Sequence, residues 1–93
     1  MAINVGRSGH PEGYLPRAHM RLSIIIPTRN EVPRIEACIA SFRPAMAQGT
    51  VEVIVVDNSS SDGTADRASA AGARVLIQGP ERSAQRNRGA REA

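Results

Sequence analysis

Residues 51–64, V-E-V-I-V-V-D-N-S-S-S-D-G-T, give the clearest indication of the architecture. Their first seven residues are an apolar, β-branched run, which is typical of a strand buried on both faces of a parallel sheet. The run ends at Asp57, and a polar loop containing Gly63 follows it. A loop of this composition predicts a turn into a helix, with Ser61 or Asp62 as the capping residue.

Two further runs of the same kind lie on either side of this stretch, L-S-I-I-I-P at residues 22–27 and A-R-V-L-I at residues 73–77. Pro33 suits the first turn of a helix after the first run. One face of that helix carries apolar residues at i, i+3, i+4 and i+7, namely Ile35, Cys38, Ile39 and Phe42.

The remaining helices follow the second and third strands. Alanines at residues 65–71 predict a short helix that ends at Gly72, and residues 81–92 predict an arginine-rich one. The order of elements is therefore β-α-β-α-β-α, which predicts an α/β fold with a Rossmann-like parallel sheet.

In such sheets, ligands bind beyond the carboxyl ends of the strands. That rule selects three loops, at residues 27–33, 57–63 and 78–83. Asp57 could accept hydrogen bonds from a ribose or a base, or could serve only to hold its own loop. Asn58 offers both a donor and an acceptor to a base edge. In the first loop, Thr28 could contact a nucleoside, while Glu31 could neutralise Arg29 or cap the helix.

Composition limits the chain to one small domain. Of its 93 residues, 41% are hydrophobic but only 2% are aromatic. No run of 18 apolar residues occurs, so we expect no transmembrane segment, and no basic-then-apolar leader opens the chain. A single cysteine permits no internal disulfide and favours the cytoplasmic compartment.

The net charge is +3, and all twelve basic residues are arginine. Four of them occur in the last twelve residues and could form a solvated helix face or bind phosphate groups. Because no aromatic residue lies nearby to stack on bases, we expect no nucleic-acid partner.

The chain divides into two segments. Residues 1–20 contain scattered glycines and prolines and are predicted to be a disordered or loosely structured tail, with Met20 as a possible alternative start. Residues 21–93 are predicted to be the domain. A small sheet of this size leaves an unpaired edge strand, which could support self-association.

Four motifs together resemble the family 2 glycosyltransferases, which are inverting enzymes with the GT-A fold that use a nucleotide-diphospho-sugar donor. The motifs are S-I-I-I-P-T-R-N-E (23–31), V-E-V-I-V-V-D-N-S-S-S-D-G-T (51–64), G-A-R-V-L (72–76) and S-A-Q-R-N-R-G-A (83–90). They occur in the family's order and at about its spacing, and the resemblance covers residues 21–93, nearly everything outside the tail.

The resemblance implies a donor site of the UDP or dTDP type. Pro27 and Thr28 would lie against the base, and Asp57 at the head of the nucleotide loop. Asn58 stands where many members have an Asp that accepts a bond from the uracil ring N–H. Arg86 and Asn87 would lie near the diphosphate or ribose, and Gly89 would let their helix pack closely. The full set of substrate-binding residues implied in this way is Pro27, Thr28, Asn30, Glu31, Asp57, Asn58, Ser59, Arg86 and Asn87.

The resemblance also implies groups that this sequence does not present. Family members hold Mg²⁺ or Mn²⁺ on an Asp-x-Asp motif and use an Asp or Glu as the general base. Neither can be assigned up to Ala93, so we expect the chain to bind donor and to be inactive alone. The alternative is a non-catalytic remnant or a nucleotide-binding module that depends on a partner. A dinucleotide-binding domain is disfavoured because no G-x-G-x-x-G follows the first strand.

Overall fold

The computed structural model describes residues 3–7 and 22–93. In chain order the elements are β1 (Asn4–Arg7), β2 (Leu22–Thr28), α1 (Val32–Ala40), α2 (Arg43–Ala47), β3 (Val51–Asp57), α3 (Thr64–Ala70), β4 (Arg74–Ile77) and α4 (Arg82–Glu92). Within these residues, no helix is long and apolar enough to cross a membrane.

The four strands form one mixed, mostly parallel sheet in the order β1-β2-β3-β4. β2 and β3 run parallel for their whole length, with Leu22 opposite Val51 and Thr28 opposite Asp57. β4 continues the parallel part, and β1 is antiparallel on the other side of β2. The predicted α/β fold with a Rossmann-like sheet is therefore confirmed.

A proline in β2 is tolerated because of the side on which it lies. Leu22 donates its backbone N–H to Thr50 O at 2.9 Å, across the boundary with β3. Because backbone groups alternate in direction along a strand, the even-numbered amides of β2 point to β3 and the odd-numbered ones point to the outer edge. Pro27 therefore lacks its N–H on the outer side, where no bond to β3 is lost.

The two faces of the sheet are covered by different helices. One face packs α1 and α3 against Ile24, Ile26, Val53 and Val55, with Ile35 and Ile39 fully buried from the helix side. The other face presents Ile25, Ile54 and Val56, and α4 lies over it. Cys38 is half-buried beside the first of these clusters, as its helical spacing predicts, and burial raises the pKa of its thiol above the ordinary value of 9.0.

Two elements differ from the sequence expectation. Residues 4–7 form a strand within the segment expected to lack regular structure, whereas residues 1–2 and 8–20 of that segment, including Met20, lie outside the described residues. The sequence analysis did not predict the short helix α2, in which Pro44 occupies the first turn, where proline's missing N–H costs nothing.

Candidate functional site

The carboxyl ends of β2 and β3 are joined by a buried carboxylate. Asp57 is 1% exposed, and its Oδ1 accepts hydrogen bonds from Thr28 Oγ1 and from Ser60 Oγ, both at 2.6 Å. Its Oδ2 accepts from the Ser60 backbone N–H at 2.8 Å. A buried carboxylate with three donors is well satisfied, so Asp57 links the first loop to the second.

A second pair of bonds joins the two loops nearer to solvent. The Asn30 N–H donates to Ser60 Oγ at 2.8 Å, and the Ser61 N–H donates to Asn30 Oδ1 at 3.0 Å. Asn30 has φ 52° and Ser59 has φ 45°, a left-handed conformation that residues with a Cβ rarely adopt. Backbone conformations of this kind concentrate at functional loops, where surrounding bonds maintain them.

Asp62 and Thr64 join the second loop to the start of α1. Asp62 Oδ2 accepts from the Val32 N–H at 3.2 Å, and Thr64 Oγ1 accepts from the Glu31 N–H at 2.9 Å. Asp62 Oδ1 accepts from the backbone N–H and the hydroxyl of Thr64. The hydrogen bond from the Thr64 hydroxyl is the main cause that lowers the pKa of the Asp62 carboxyl below its ordinary value of 3.8, and the backbone N–H groups of Val32, Thr64 and Asp62 itself add to this lowering.

The predicted capping role of Asp62 needs a correction of one position. Gly63, with φ 88°, is the N-cap of α3, and Asp62 stands before it. Asp62 nevertheless accepts from the first amide of α3 and the first amide of α1, so it serves both helices. Glu31, which we expected to neutralise Arg29 or to cap the helix, is the N-cap residue of α1, but its side chain makes no capping hydrogen bond and forms an ion pair with Arg34 at 3.3 Å.

The third loop meets the second through Asn58. The Asn58 N–H donates to Thr28 O at 2.9 Å, and its side-chain Nδ2 donates to Pro80 O at 3.4 Å. Asn58 Oδ1 lies so close to Gly79 that a Cβ at that glycine would stand 1.9 Å from it. A glycine is therefore required at position 79 for the Asn58 amide to keep this place.

Helix α4 is joined to the same edge by a buried glutamine that sequence analysis did not select. Gln85 is 2% exposed, and its Nε2 donates to Val56 O at 2.7 Å and to Thr28 O at 3.1 Å. One turn later, Gly89 lies against the sheet, where an added Cβ would stand 2.5 Å from Ile25 Cγ2. A signal was present in the sequence, since Gln85 and Gly89 share one helix face, at i and i+4.

Several of the predicted residues come together at this edge. Pro27 and Thr28 are buried at the end of β2, Asn58 is half-buried, and Asn30 and Ser59 are exposed in the adjoining loops. Arg86 and Asn87 follow Gln85 on the exposed side of α4. Contact of any of these residues with a ligand stays a prediction.

A cavity of about 470 Å³ lies elsewhere, at the amino ends of β3 and β4. Of its two charged residues, Glu52 and Arg74, the second donates to the backbone carbonyl and to the carboxylate of Glu92, at 2.7 Å and 3.0 Å. The candidate site is therefore the carboxyl edge, where polar loops from neighbouring parallel strands converge. Among residues 3–7 and 22–93, no three His, Cys, Asp or Glu side chains are grouped as metal ligands would be.

A parallel α/β sheet whose carboxyl edge carries linked polar loops defines a Rossmann-like domain. Residues 23–93 match the glycosyl transferase family 2, and the chain belongs to that family.

The curated relatives that it resembles are glucosyl-3-phosphoglycerate synthases. Those of Mycobacterium tuberculosis strains CDC 1551 / Oshkosh and ATCC 25618 / H37Rv, and of Mycobacterium bovis, are each 40% identical over 60 residues. The match covers 64% of this chain but only 18% of each relative's length.

Proposed function

We propose that this chain is the nucleotide-sugar donor-binding part of an inverting family 2 glycosyltransferase. The observation that carries the proposal is the hydrogen-bonded bridge formed by Thr28, Asp57 and Ser60, which holds two polar loops together at the carboxyl ends of neighbouring parallel strands. Family membership supports a glycosyltransferase role, and the edge supplies the place where such a domain binds its ligand.

In this proposal Asp57 acts on the donor through the loops. Its carboxylate oxygens are engaged by Thr28 and Ser60, so its contribution is to preorganise the backbone of residues 28–30 and 58–61. Asn58 would meet the base where the second and third loops join, with its Nδ2 donating to Pro80 O and its Oδ1, which lies beside Gly79, as the acceptor. An acceptor in that place suits the ring N–H of a uracil or thymine base.

The diphosphate would lie toward α4. Gln85, in the first turn of α4, bonds to Thr28 O, so the amino end of this helix lies at the carboxyl edge of the sheet. Helix amino ends carry partial positive charge, and Arg86 adds a full charge on the exposed side. Guanidinium groups suit bidentate binding of phosphate oxygens.

Family 2 enzymes are expected to use Mg²⁺ or Mn²⁺ on the leaving diphosphate. The described residues do not fit such an ion, because they contain no cluster of three carboxylate, histidine or cysteine ligands. We therefore assign neither a metal site nor a general base to residues 22–93. In the complete reaction, an acceptor hydroxyl oxygen would attack the anomeric carbon as the nucleoside diphosphate departs.

The test is an NMR titration of the ¹⁵N-labelled chain with UDP, dTDP, ADP and pyrophosphate in parallel. We expect the uridine and thymidine nucleotides to shift amides at residues 28–31 and 57–61, with a Kd weaker than about 1 μM, or −8.2 kcal/mol. Asn58→Ala should weaken binding, while Gln48→Ala, an exposed change beyond α2, should not. Shifts confined to the cavity at the amino ends of the strands, or no shifts at all, would refute the proposal.

The second candidate is a nucleotide-binding module that depends on a partner, or a non-catalytic remnant. The match covers only 18% of the relatives' length. Both candidates predict an inactive chain, and a transfer assay with a glucosyl nucleotide and 3-phosphoglycerate tests this, with a mycobacterial synthase as the positive control. The titration above distinguishes them, because a remnant that binds no nucleotide gives no amide shifts. We expect no product from the 93-residue chain. Product formation would mean that the chain carries catalytic groups of its own.

A further inference from the structure

The last backbone hydrogen bonds between β2 and β3 share their acceptors with a side chain of α4. The register of the two strands directs the Thr28 N–H to Val56 O, and the Asn58 N–H donates to Thr28 O at 2.9 Å. Gln85 Nε2 donates to the same two carbonyl oxygens, at 2.7 Å for Val56 and 3.1 Å for Thr28. A carbonyl oxygen has two lone pairs and can accept both bonds. Gln85 therefore joins α4 to both strands near the point where each strand ends.

The surroundings of Gln85 leave its amide group one orientation. The residue is 2% exposed, and both neighbours of the amide are carbonyl oxygens, which accept hydrogen bonds and do not donate them. The nitrogen must therefore face the strands, where its two hydrogens match the two acceptors. The backbone N–H of Gln85 donates to Glu81 O at 3.0 Å and closes the first turn of α4. The residue thus fixes that turn against the ends of two strands.

The residues beside these contacts are those assigned to the two ends of the donor. The Thr28 and Val56 carbonyls belong to the peptide units that lead toward the first and second loops, and Asn58 lies two residues beyond Val56. On the helix side, Arg86 directly follows Gln85 and is exposed. One buried side chain therefore links the proposed base contact, Asn58, to the proposed phosphate contact, Arg86.

We propose that Gln85 is a positioning residue that fixes the distance between the base-binding loops and the phosphate-binding side of α4. This inference rests on the proposed function. A ligand that carries a base and a diphosphate must contact both places at once, and the second contact is more favourable when its place is already fixed relative to the first. Gln85 is buried against β2 and β3, so it acts on the ligand through Asn58 and Arg86.

Such a role has a consequence that a loss of fold stability does not have. Without the bonds of Gln85, each place can still bind its own part of the ligand, but a ligand that spans both places must first order them. We therefore expect Gln85→Met to weaken the binding of UDP by about tenfold. The Kd values of uridine and of pyrophosphate, which each need one place, should change by less than about twofold.

The test measures the Kd values of UDP, uridine and pyrophosphate by NMR titration of the ¹⁵N-labelled chain. Wild type and Gln85→Met are compared with two controls. Gln48→Met is the same substitution at an exposed position. Ile39→Val shortens a fully buried side chain on the opposite face of the sheet, which lowers stability without changing α4. Both controls should bind all three ligands as the wild type does.

The outcomes separate this inference from the proposed function. A loss of affinity for UDP alone in Gln85→Met supports the inference. Unchanged affinity for UDP, or equal weakening of all three ligands, would overturn it while nucleotide binding by the wild type still stood. The same selective loss in Ile39→Val would also overturn it, because lower stability would then be a sufficient cause. A wild type that binds no UDP would overturn the inference and the proposed function together.

A measurement on the wild type covers a Gln85→Met variant that fails to fold. A ligand whose affinity depends on the Gln85 bonds must stabilise those bonds by the same factor. Saturating UDP should therefore slow hydrogen exchange of the Gln85 Nε2 protons by about tenfold, whereas uridine or pyrophosphate alone should change it by less than about twofold. Exchange that UDP leaves unchanged, or that all three ligands slow equally, would contradict the positioning role.

Discussion

The buried amide of Gln85 supports a quantitative prediction about how α4 is joined to the sheet. The change is Gln85→Met, which keeps the length and the helix propensity of the side chain but removes its donors. Two hydrogen bonds are lost, to Val56 O at 2.7 Å and to Thr28 O at 3.1 Å. The acceptors are not left unpaired, because Thr28 O still receives the Asn58 N–H at 2.9 Å and the parallel register directs the Thr28 N–H to Val56 O.

The loss should therefore equal two net hydrogen bonds without an added desolvation penalty, about 1 to 2 kcal/mol in the free energy of unfolding. For a domain of this size, Tm should fall by about 4 to 16 °C. Urea unfolding followed by circular dichroism gives the free energy directly, and Gln48→Met, at an exposed position, is the matched control. A loss below about 0.5 kcal/mol for Gln85→Met would refute the assignment of these bonds as stabilising.

Three further predictions follow from the same contacts. Gly89→Ala places a Cβ 2.5 Å from a methyl group of Ile25. Although alanine is the better helix former, this change should lower the free energy of unfolding, measured in urea, by about 1 to 3 kcal/mol. The control is Ala90→Gly, at an exposed position, which should lower it by only about 0.5 to 1 kcal/mol. Gly79→Ala should displace the Asn58 side chain, which would be detected as a changed side-chain amide resonance in NMR spectra; an unchanged resonance would contradict the described contact. Because the pKa of Asp62 is lowered in the folded state, its contribution to stability is present above its ordinary pKa of 3.8 and is lost as the pH falls through the folded value. The stability difference between wild type and Asp62→Asn should therefore shrink on acidification, and a difference that persists in acid would count against this linkage.

The parts of the fold that sequence predicted are those in which composition and burial agree. The runs at residues 22–27 and 51–57 are rich in Ile and Val, and both became strands buried on two faces. The helix with Ile35 and Ile39 on one face was equally well defined. The rule that ligands bind at the carboxyl ends of parallel strands predicted the edge at which Thr28 and Asp57 lie, but it did not predict the hydrogen bond between them.

The missed features depend on contacts distant in the chain. β1 is only four residues long, too short for a clear sequence pattern, and its formation depends on pairing with the edge of β2 in the assembled sheet. Gln85 lies among arginines, and such a segment is typical of a helix exposed to solvent. It is buried because α4 packs closely against the sheet at Gly89. The positive φ of Ser59 follows from the bonds of its neighbour Ser60 to Asp57 and not from the serine itself.

The pyrrolidine ring of Pro27 has a consequence for assembly. With no N–H on the outer edge of β2, it removes one donor from any hydrogen-bond ladder built there, although its carbonyl can still accept. A neighbouring strand could therefore pair in both directions only along residues 23–25. The polar loop at residues 29–31 would therefore remain accessible to small molecules even when another strand pairs with the outer edge of β2.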